Sequence, residues 1–523
     1  MIISRRRFLK LTGLGLAAGA VGGRFLPLVD AVASAQGVGL ASPVELGRRP
    51  GPGVVRFDLA ASPATVSVAG RTARLWTYNG GFPGPTLRLW EGDRVELRFS
   101  NGLPEVTNLH FHGLHIPPTG NGDNVFRQVA PGETALYEFS VPEGSAGTFW
   151  YHPHVHGTVA SQLFRGLAGA IVVEGPADAV FGDLPEQLLV LKDFEFNARG
   201  DVAPHGMMDW SMGREGSLVT VNGEESPSVE VSGGALRLRL LNASNARYYR
   251  LAIPSSEITV IASDGGFVAK PYRATELLLA PGERYEVVAS FPSPGEYHLV
   301  TLPYDRAPED DMAAMGGIAG MGGTAGMGGM AGMPGMGQGA EGGGMGAMPG
   351  HDMGAPGMGM PGGAPPAYSA AAPLTRFVVR ESGDYVPPRT LAAIEPLRRA
   401  DAVISRRLVL AEDMAAARFF IDGKEFDPDR VDVAPRLGTV EHWEIVNDTG
   451  MDHPMHLHVH PFQLLAGDGT DEGRREWKDV VNVPARGSVE ILVPFRDFVG
   501  KTVFHCHVVE HEDRGMMSVV DVR

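Results

Sequence analysis

The sequence predicts an all-β protein made of consecutive β-sandwich domains. Short runs alternate between apolar and polar residues, and Gly, Pro, Asn and Asp separate these runs. Examples are residues 94–99 (RVELRF), 236–240 (LRLRL) and 488–493 (SVEILV). A period of two is typical of strands with one face in a core, and turn residues between such strands indicate sandwiches. Helix-period segments are scarce outside residues 307–366.

A rough unit recurs three times along the chain. In each copy an early turn containing Gly precedes a strand that ends in Asn, and a second turn follows. The early turns lie at 79–80, 222–223 and 422–423, the strand ends at Asn101, Asn242 and Asn447, and the later turns at 130–133, 280–283 and 484–487. Such recurrence predicts three related domains of about 150 residues. We place them at residues 45–180, 185–375 and 376–523.

The N-terminus has the features of a twin-arginine export signal. Residues 4–10 read SRRRFLK, an apolar stretch follows at 11–21, and residues 33–35 (ASA) offer a cleavage site. A membrane anchor is the alternative, but the apolar part is too short and too rich in Gly to span a bilayer. We therefore expect the twin-arginine export machinery to deliver the folded protein to the periplasm or the extracellular space. Residues 1–35 would be removed, leaving no stable membrane anchor.

The charge of the chain excludes some classes of partner. The formal net charge is −16, and loss of residues 1–35 removes five basic groups and one acidic group, giving about −20. A strongly acidic protein has no electrostatic reason to bind nucleic acid or anionic lipid.

The single cysteine lies among metal-binding residue types. Between positions 505 and 516 the chain has the thiol of Cys506, three histidines and the thioether of Met516. One Cys, two His and a weak axial Met are the ligands of a blue copper site, so Cys506, His511 and Met516 would supply three of the four. A second His should come from an earlier strand. A lone cysteine cannot form a disulfide within the chain, which leaves an inert buried thiol as the alternative.

Eight of the 17 histidines form four His-x-His pairs, at 110/112, 152/154, 456/458 and 505/507. Side chains at i and i+2 of a strand share a face, so each pair can direct two imidazoles to one point. Four converging pairs would give eight nitrogen ligands. By the same alternation, Cys506 points away from His505 and His507. One strand would then connect a mononuclear copper on one face with a multinuclear cluster on the other.

These residues resemble the copper motifs of the multicopper oxidases, the family of laccases and bacterial cuprous oxidases. The resemblance runs from about residue 55 to residue 523, interrupted by residues 307–366. It rests on five segments: 79–88 (NGGFPGPTLR), 110–113 (HFHG), 150–154 (WYHPH), 453–458 (HPMHLH) and 505–516. It implies three consecutive cupredoxin-like Greek-key sandwiches, with the copper cluster between the first and third.

The resemblance also implies four copper ions: one type 1, one type 2 and two type 3. All twelve ligand positions of the family are filled. His453, Cys506, His511 and Met516 would form the type 1 site, His110 and His456 would bind type 2 copper, and the type 3 pair would be held by His112, His152 and His507 on one ion and by His154, His458 and His505 on the other.

The implied reaction couples one-electron oxidation of a small reductant at type 1 copper to four-electron reduction of O2 to water at the other three. Reducing substrates would be phenols, aromatic amines and Cu(I), with Mn(II) as a further candidate, and the protein is expected to be a monomer. Asp123 and Glu512 match acidic positions that the family uses to deliver protons. Ordinary hydrogen-bonded acids are the alternative for both.

Residues 307–366 have a different composition, dominated by Gly, Ala, Pro and Met, with twelve Met among sixty residues. Such a segment cannot bury enough apolar surface to offset its ordering entropy, so we expect a mobile loop. One interpretation is a low-complexity linker. The other is capture of Cu(I) by thioethers, which are soft ligands. We favour the second, because flexibility alone does not require Met.

Two features bear on the substrate. The Met-rich insert and Met451, which lies two residues before His453, favour a cuprous oxidase with a role in copper tolerance, because similar enzymes place a substrate-copper ligand at that position. Those enzymes carry an acidic residue four positions before the His, where this chain has Thr449. A general laccase or Mn(II) oxidase is therefore the alternative. A copper-free envelope or division factor is the third, but it should lack several ligands.

Overall fold

A computed structural model gives the structure of the protein. It describes residue 40 and residues 42–47, 51–182, 184–308, 371–383, 385–465 and 475–523. The predicted export signal at 1–35 and the Met-rich insert, apart from residues 307 and 308, lie outside the described residues. Predictions for those segments stay predictions.

The first sandwich consists of two sheets packed around a core that includes Phe57, Leu97, Phe111 and Tyr137. The sheet orders are β1-β4-β9-β8-β6 and β3-β2-β5-β7. The strands are β1 (Glu45–Leu46), β2 (Val54–Val68), β3 (Arg71–Tyr78), β4 (Gly84–Trp90), β5 (Arg94–Asn101), β6 (His110–His112), β7 (Thr134–Ser140), β8 (Gly147–His152) and β9 (Gly169–Glu174).

The second sandwich has a core that includes Leu238, Val260, Leu299 and Phe377. Its sheet orders are β11-β10-β13-β18-β15-β16 and β12-β20-β19-β14-β17. The strands are β10 (Glu186–Phe194), β11 (Leu218–Val221), β12 (Ser228–Val231), β13 (Ala235–Asn242), β14 (Tyr249–Ala252), β15 (Glu257–Ser263), β16 (Gly266–Ala274), β17 (Leu277–Leu279), β18 (Arg284–Ser290), β19 (Gly295–Leu302) and β20 (Ala372–Val379). Strand β20 runs past residue 375, where the sequence suggested that this domain ends.

The third sandwich packs around residues that include Trp443, Ile445, Phe504 and Cys506. Its sheet orders are β22-β21-β23-β27-β25 and β26-β24-β28-β29. The strands are β21 (Ala402–Asp413), β22 (Arg418–Ile421), β23 (Thr439–Asn447), β24 (His453–Leu457), β25 (Gln463–Leu464), β26 (Val480–Val483), β27 (Ser488–Phe495), β28 (Gly500–Cys506) and β29 (Met517–Val522).

Helices are few and short in the described part of the chain. They are α1 (Val159–Phe164), α2 (Met207–Met212) and α3 (Val509–Asp513), with 3₁₀ turns at Pro176–Phe181 and Arg399–Asp401. None of the helices that the structure describes has the length and apolar character needed to cross a membrane. The predicted all-β class is confirmed, since strands form nearly all of the regular structure.

Candidate metal centre

Strand register brings the four His-x-His pairs together. In the first sandwich, His110 of β6 lies opposite His152 of β8. In the third, His456 of β24 lies opposite His505 of β28. Of the partner histidines at i+2, His112 lies within β6, and the other three lie one or two residues past the ends of their strands. All eight side chains are buried, and their ring nitrogens cluster between the two sandwiches at a site that we call the metal cavity.

The ring nitrogens of these histidines lie as far apart as ligands of shared metal ions do. Nitrogens that are each about 2 Å from one metal ion are separated by about 3 Å. The Nε2 atoms of His110 and His456 are 3.3 Å apart. The observed groups are His110 with His112 and His456, His112 with His152 and His507, and His154 with His458 and His505.

Cys506 belongs to a separate group with His453 and His511. The distance from its Sγ to Nδ1 is 3.4 Å for His453 and 3.9 Å for His511, and the two Nδ1 atoms are 3.3 Å apart. Met516 is fully buried in the same core, and the backbone N–H of Cys506 donates to its carbonyl. This is a two-His, one-Cys arrangement with a thioether close in the chain, which suits copper.

The protonation of these groups also suits a metal. Burial lowers the pKa of the cavity histidines, which keeps the rings neutral with a free lone pair. Both nitrogens of His507 are buried without a hydrogen-bond partner among the described residues. Burial raises the pKa of the Cys506 thiol, so a bound cation is needed to hold it as thiolate at neutral pH. The donor set therefore fits copper.

Sequence profiles of the multicopper oxidase family match residues 60–178, 198–316 and 402–523. Together they span more than half of the chain, and each overlaps one sandwich. The chain belongs to the multicopper oxidase family.

Individual relatives agree with this assignment. The multicopper oxidase mco of Staphylococcus aureus is 28% identical over 462 residues, covering 85% of this chain and 83% of that protein. The cell division protein FtsP of Edwardsiella tarda is 31% identical over an alignment of 540 residues, covering 100% and 99%. A structure entitled as a multicopper oxidase from Campylobacter jejuni, a metallo-oxidase, gives a TM-score of 0.75 at 27% identity, covering 92% of this chain and 94% of that chain.

Family membership confirms the predicted fold of three cupredoxin-like sandwiches. It also implies copper binding and the use of O2 with a reducing substrate. Within this multicopper oxidase, the assignment of each histidine to a type 1, type 2 or type 3 ion stays a prediction, with which the observed groups are compatible.

Asp123 lies against the cavity histidines. Both of its carboxylate oxygens are 2.9 Å from Nδ1 of His110, and the backbone N–H of Phe111 donates to it. Burial raises the pKa of Asp123 to about 7, although the Phe111 hydrogen bond opposes the shift. The carboxyl can therefore exchange a proton near neutral pH while it orients His110.

Glu512, in α3, lies against two other cavity histidines. Its oxygens are 3.2 Å from Nδ1 of His505 and 3.5 Å from Nε2 of His154. Burial, and then the charges of Asp513 and Glu510, raise the pKa of Glu512 well above its ordinary value. The group is fully buried, and the raised pKa favours the protonated form of its carboxyl.

Two acidic residues of the short helix α3, on either side of His511 and Glu512, hold the helix in place. Asp513 accepts the backbone N–H groups of Gly157 and Ala160 at the start of α1. Glu510 accepts from Asn245 and lies 3.0 Å from Nε2 of His205. His511 and Glu512 are thereby fixed against the first and second sandwiches. No sequence pattern indicates a role for His205 or for either flanking acid.

The predicted substrate-copper ligand Met451 is buried, with 1% of its surface exposed. Thr449 is also buried, and its hydroxyl is 2.9 Å from Nε2 of His453. Thr449 is the residue four positions before His453, where similar enzymes carry an acid. The neighbouring Asp452 contacts Tyr304, Asn482 and the backbone N–H of Ala485, so its carboxylate does not replace that acid.

Three further histidines near the motifs differ in environment. His115 contacts the carbonyl of Val459 and the carboxylate of Asp497, while His156 is exposed. His460 is fully buried, and neither of its ring nitrogens has a hydrogen-bond partner in the described part of the chain. None of the three joins the metal-binding groups.

Proposed function

We propose that the protein oxidises small reductants one electron at a time at a type 1 copper and reduces O2 to water at a three-copper cluster. Four copper ions would be held by the twelve predicted ligands. The copper supplies the redox chemistry, and the protein supplies the ligands, the proton donors and the covalent connection between the two sites.

The position of Cys506 carries this proposal. Its thiol groups with His453 and His511, whereas the adjacent His505 and His507 group with the cavity histidines. The single-ion site and the multi-ion cavity are therefore connected through adjacent residues of the backbone. A storage site or a structural metal site has no need of such a connection, but a chain of single-electron transfers requires one.

Asp123 and Glu512 are proposed to supply protons to oxygen. Water formation consumes four protons in a cavity whose histidines are buried and neutral. Burial raises the pKa of both acids, so each can carry a proton near neutral pH. They contact different histidines, Asp123 next to His110 and Glu512 next to His154 and His505.

We propose Cu(I) as a substrate alongside phenols and aromatic amines, with copper tolerance as the role. The composition of residues 307–366 supports Cu(I), since thioethers bind it well. Two neighbours of His453 argue against a dedicated cation site there. Thr449 is neutral, and the carboxylate of Asp452 already accepts hydrogen bonds from Tyr304, Asn482 and Ala485. A general laccase or Mn(II) oxidase is the alternative.

We further propose that the protein acts outside the cytoplasm after twin-arginine export, as a monomer without a membrane anchor. The N-terminal sequence supports this proposal. The export route suits this protein, because twin-arginine export moves folded proteins. Ligands from distant parts of the chain can therefore assemble before transport.

A division role without copper is favoured by one observation, the similarity to FtsP over the whole chain. The intact set of cavity histidines, together with Cys506, supports an oxidase instead. Copper content separates the two functions, because a copper-free division factor would bind none stoichiometrically.

The test uses purified, copper-loaded protein supplied with Cu(I) or with a phenol over a range of added Cu(II). We expect an intense blue colour and oxidation of both reductants, with four electrons withdrawn per O2 consumed. Cys506→Ser should abolish the colour and the oxidase activity while the fold remains. A serine variant that stays blue, or wild-type protein that binds no copper, would refute the assignment.

A further inference from the structure

Arg284 lies where the three sandwiches meet, and its side chain is completely buried. Each of its five N–H groups has an acceptor. Nε donates to the carbonyl of Thr148 in the first sandwich, and Nη1 and Nη2 donate to the carbonyls of Gly282 and Asp264 in the second. The remaining two donate to the carboxylate of Asp479 in the third, both at 2.6 Å.

Asp479 also contacts two histidines of the metal cavity. Its Oδ1 is 3.1 Å from Nε2 of His112, and its backbone carbonyl accepts from Nδ1 of His456 at 2.8 Å. The same residue therefore joins the guanidinium of Arg284 to two predicted copper ligands. No sequence pattern indicates this contact, because Asp479 and His112 are 367 positions apart.

His112 is oriented differently from its neighbours. His152, His456 and His505 each donate from Nδ1 to a backbone carbonyl, which leaves Nε2 as the free nitrogen. In His112 the nitrogen that faces the cavity is Nδ1, 3.5 Å from Nε2 of His152. Nδ1 can bind a metal ion only when the ring proton is on Nε2, and an ionised Asp479 accepts that proton's hydrogen bond.

Close packing fixes this arrangement. A Cβ on Gly113, which has a φ of +88°, would lie 2.2 Å from Nη2 of Arg284 and 2.6 Å from Oδ2 of Asp479. A Cβ on Gly282, which has a φ of +84°, would lie 2.8 Å from the ring of His507. The second sandwich, which supplies none of the predicted ligands, thus forms part of the wall of the cavity.

We propose that Arg284 and Asp479 are a positioning pair that fixes His112 in the tautomer that binds metal through Nδ1, and so makes the second sandwich part of the copper cluster. The inference rests on the proposed copper sites, but the type 1 site is independent of it. Neither residue contacts the reacting oxygen; each acts through His112.

Asp479→Asn tests the tautomer. Because Arg284 donates to both carboxylate oxygens, an amide nitrogen at either position would face a guanidinium N–H. At the position of Oδ1 it would also face Nε2 of His112 and favour the ring with its proton on Nδ1. We expect copper affinity of the cluster, measured by competition with a chelator, to fall about 10- to 100-fold. Electron paramagnetic resonance should show an altered cluster, while the blue type 1 band is retained.

Glu286→Gln is the matched control. Glu286 is as deeply buried, is paired with Arg237 and Arg239, and accepts from Thr148, but it touches no cavity histidine. It should cost stability without changing copper affinity. Equal copper loss in both variants at similar thermal midpoints would show a merely structural role and overturn the proposal, as would wild-type affinity and spectra in Asp479→Asn.

Arg284→Lys covers the case in which Asp479→Asn does not fold. Lysine keeps the charge that pairs with Asp479, but it cannot make the bidentate contact or donate to all five acceptors. Cluster copper should be lost to a chelator faster than in wild type, with type 1 copper unaffected. Identical release from both proteins would overturn the proposal. Loss of the blue colour in every variant would instead point to failure of the copper assignment itself.

Discussion

Met516 shows how one side chain is expected to set the behaviour of a redox site. It is fully buried in the core that contains Cys506, and its backbone N–H donates to the carbonyl of His511. The chain thus places Met516 in the same core as Cys506. A weak axial thioether lowers the potential of such a site relative to a position without a ligand.

Replacing Met516 with Leu should raise the type 1 potential and keep the blue colour, because the thiolate that produces the colour remains. Redox titration of the variant measures the shift. Met517→Leu is the matched control, since Met517 lies in a different apolar cluster, with Val125 and Val503. A potential that rises in Met517→Leu and not in Met516→Leu would show that Met517, and not Met516, is the axial ligand.

Residue chemistry explains which parts of the site could be predicted. Few residue types carry thiol, imidazole or thioether groups, and their spacing in strands determines which of these groups share a face. The contacts of Asp479 and Arg284 could not be predicted in this way, because carboxylates and guanidinium groups are common and their partners come from other sandwiches. The same is true of Glu510, whose partner His205 lies 305 positions away.

Among the elements, β28 and α3 carry most of the predicted function. Strand alternation sends Cys506 to one side and His505 to the other, and α3 follows after a single turn to supply His511 and Glu512. The strand was predictable from its pattern. The helix was not, since five residues are too few to show a helical period.

The Met-rich insert at 307–366 is the element whose role is tested most directly by deletion. If its thioethers capture Cu(I), deletion should slow Cu(I) oxidation mainly at low copper concentration, where capture limits the rate. Phenol oxidation should stay equal or improve, because bulky substrates gain access. Few apolar anchors are present in this sequence, so the loss of stability should be small.

A length-matched control replaces the twelve Met of the insert by Ser. It should reproduce the loss of Cu(I) oxidation without the gain in phenol oxidation. If both activities fall equally after deletion, the insert has a structural role. Unchanged Cu(I) kinetics at every copper concentration would favour the low-complexity linker and the general laccase.

At the scale of the whole molecule, three sandwiches have to be held in register for two of them to share a cavity. Their number and class followed from the recurring unit and the alternation, which are local features of the sequence. The contacts between them did not, because they depend on long-range packing. One example is an ion network between the first two sandwiches, where Glu186 lies 3.0 Å from Arg88 and 2.8 Å from Arg239.

This network predicts a stability that depends on pH. The positive charges of Arg239, Arg88 and Arg237 outweigh the opposing effect of burial and lower the pKa of Glu186 from 4.5 to about 2. Because the folded-state pKa is depressed, the stabilisation is complete above pH 4.5 and is lost as the pH falls through about 2. Glu186→Gln removes the charge and should cost about 1–3 kcal/mol at pH 7.

Urea unfolding of wild type and Glu186→Gln at several pH values measures this contribution. The difference in unfolding free energy should be constant at neutral pH and shrink steadily as the pH is lowered from about 4.5 toward about 2. Glu444→Gln is the control, because its pair with Arg407 is exposed and contributes less than about 1 kcal/mol. A difference that stays the same or grows in acid would mean that Glu186 stabilises the junction through packing, and that its charge contributes nothing.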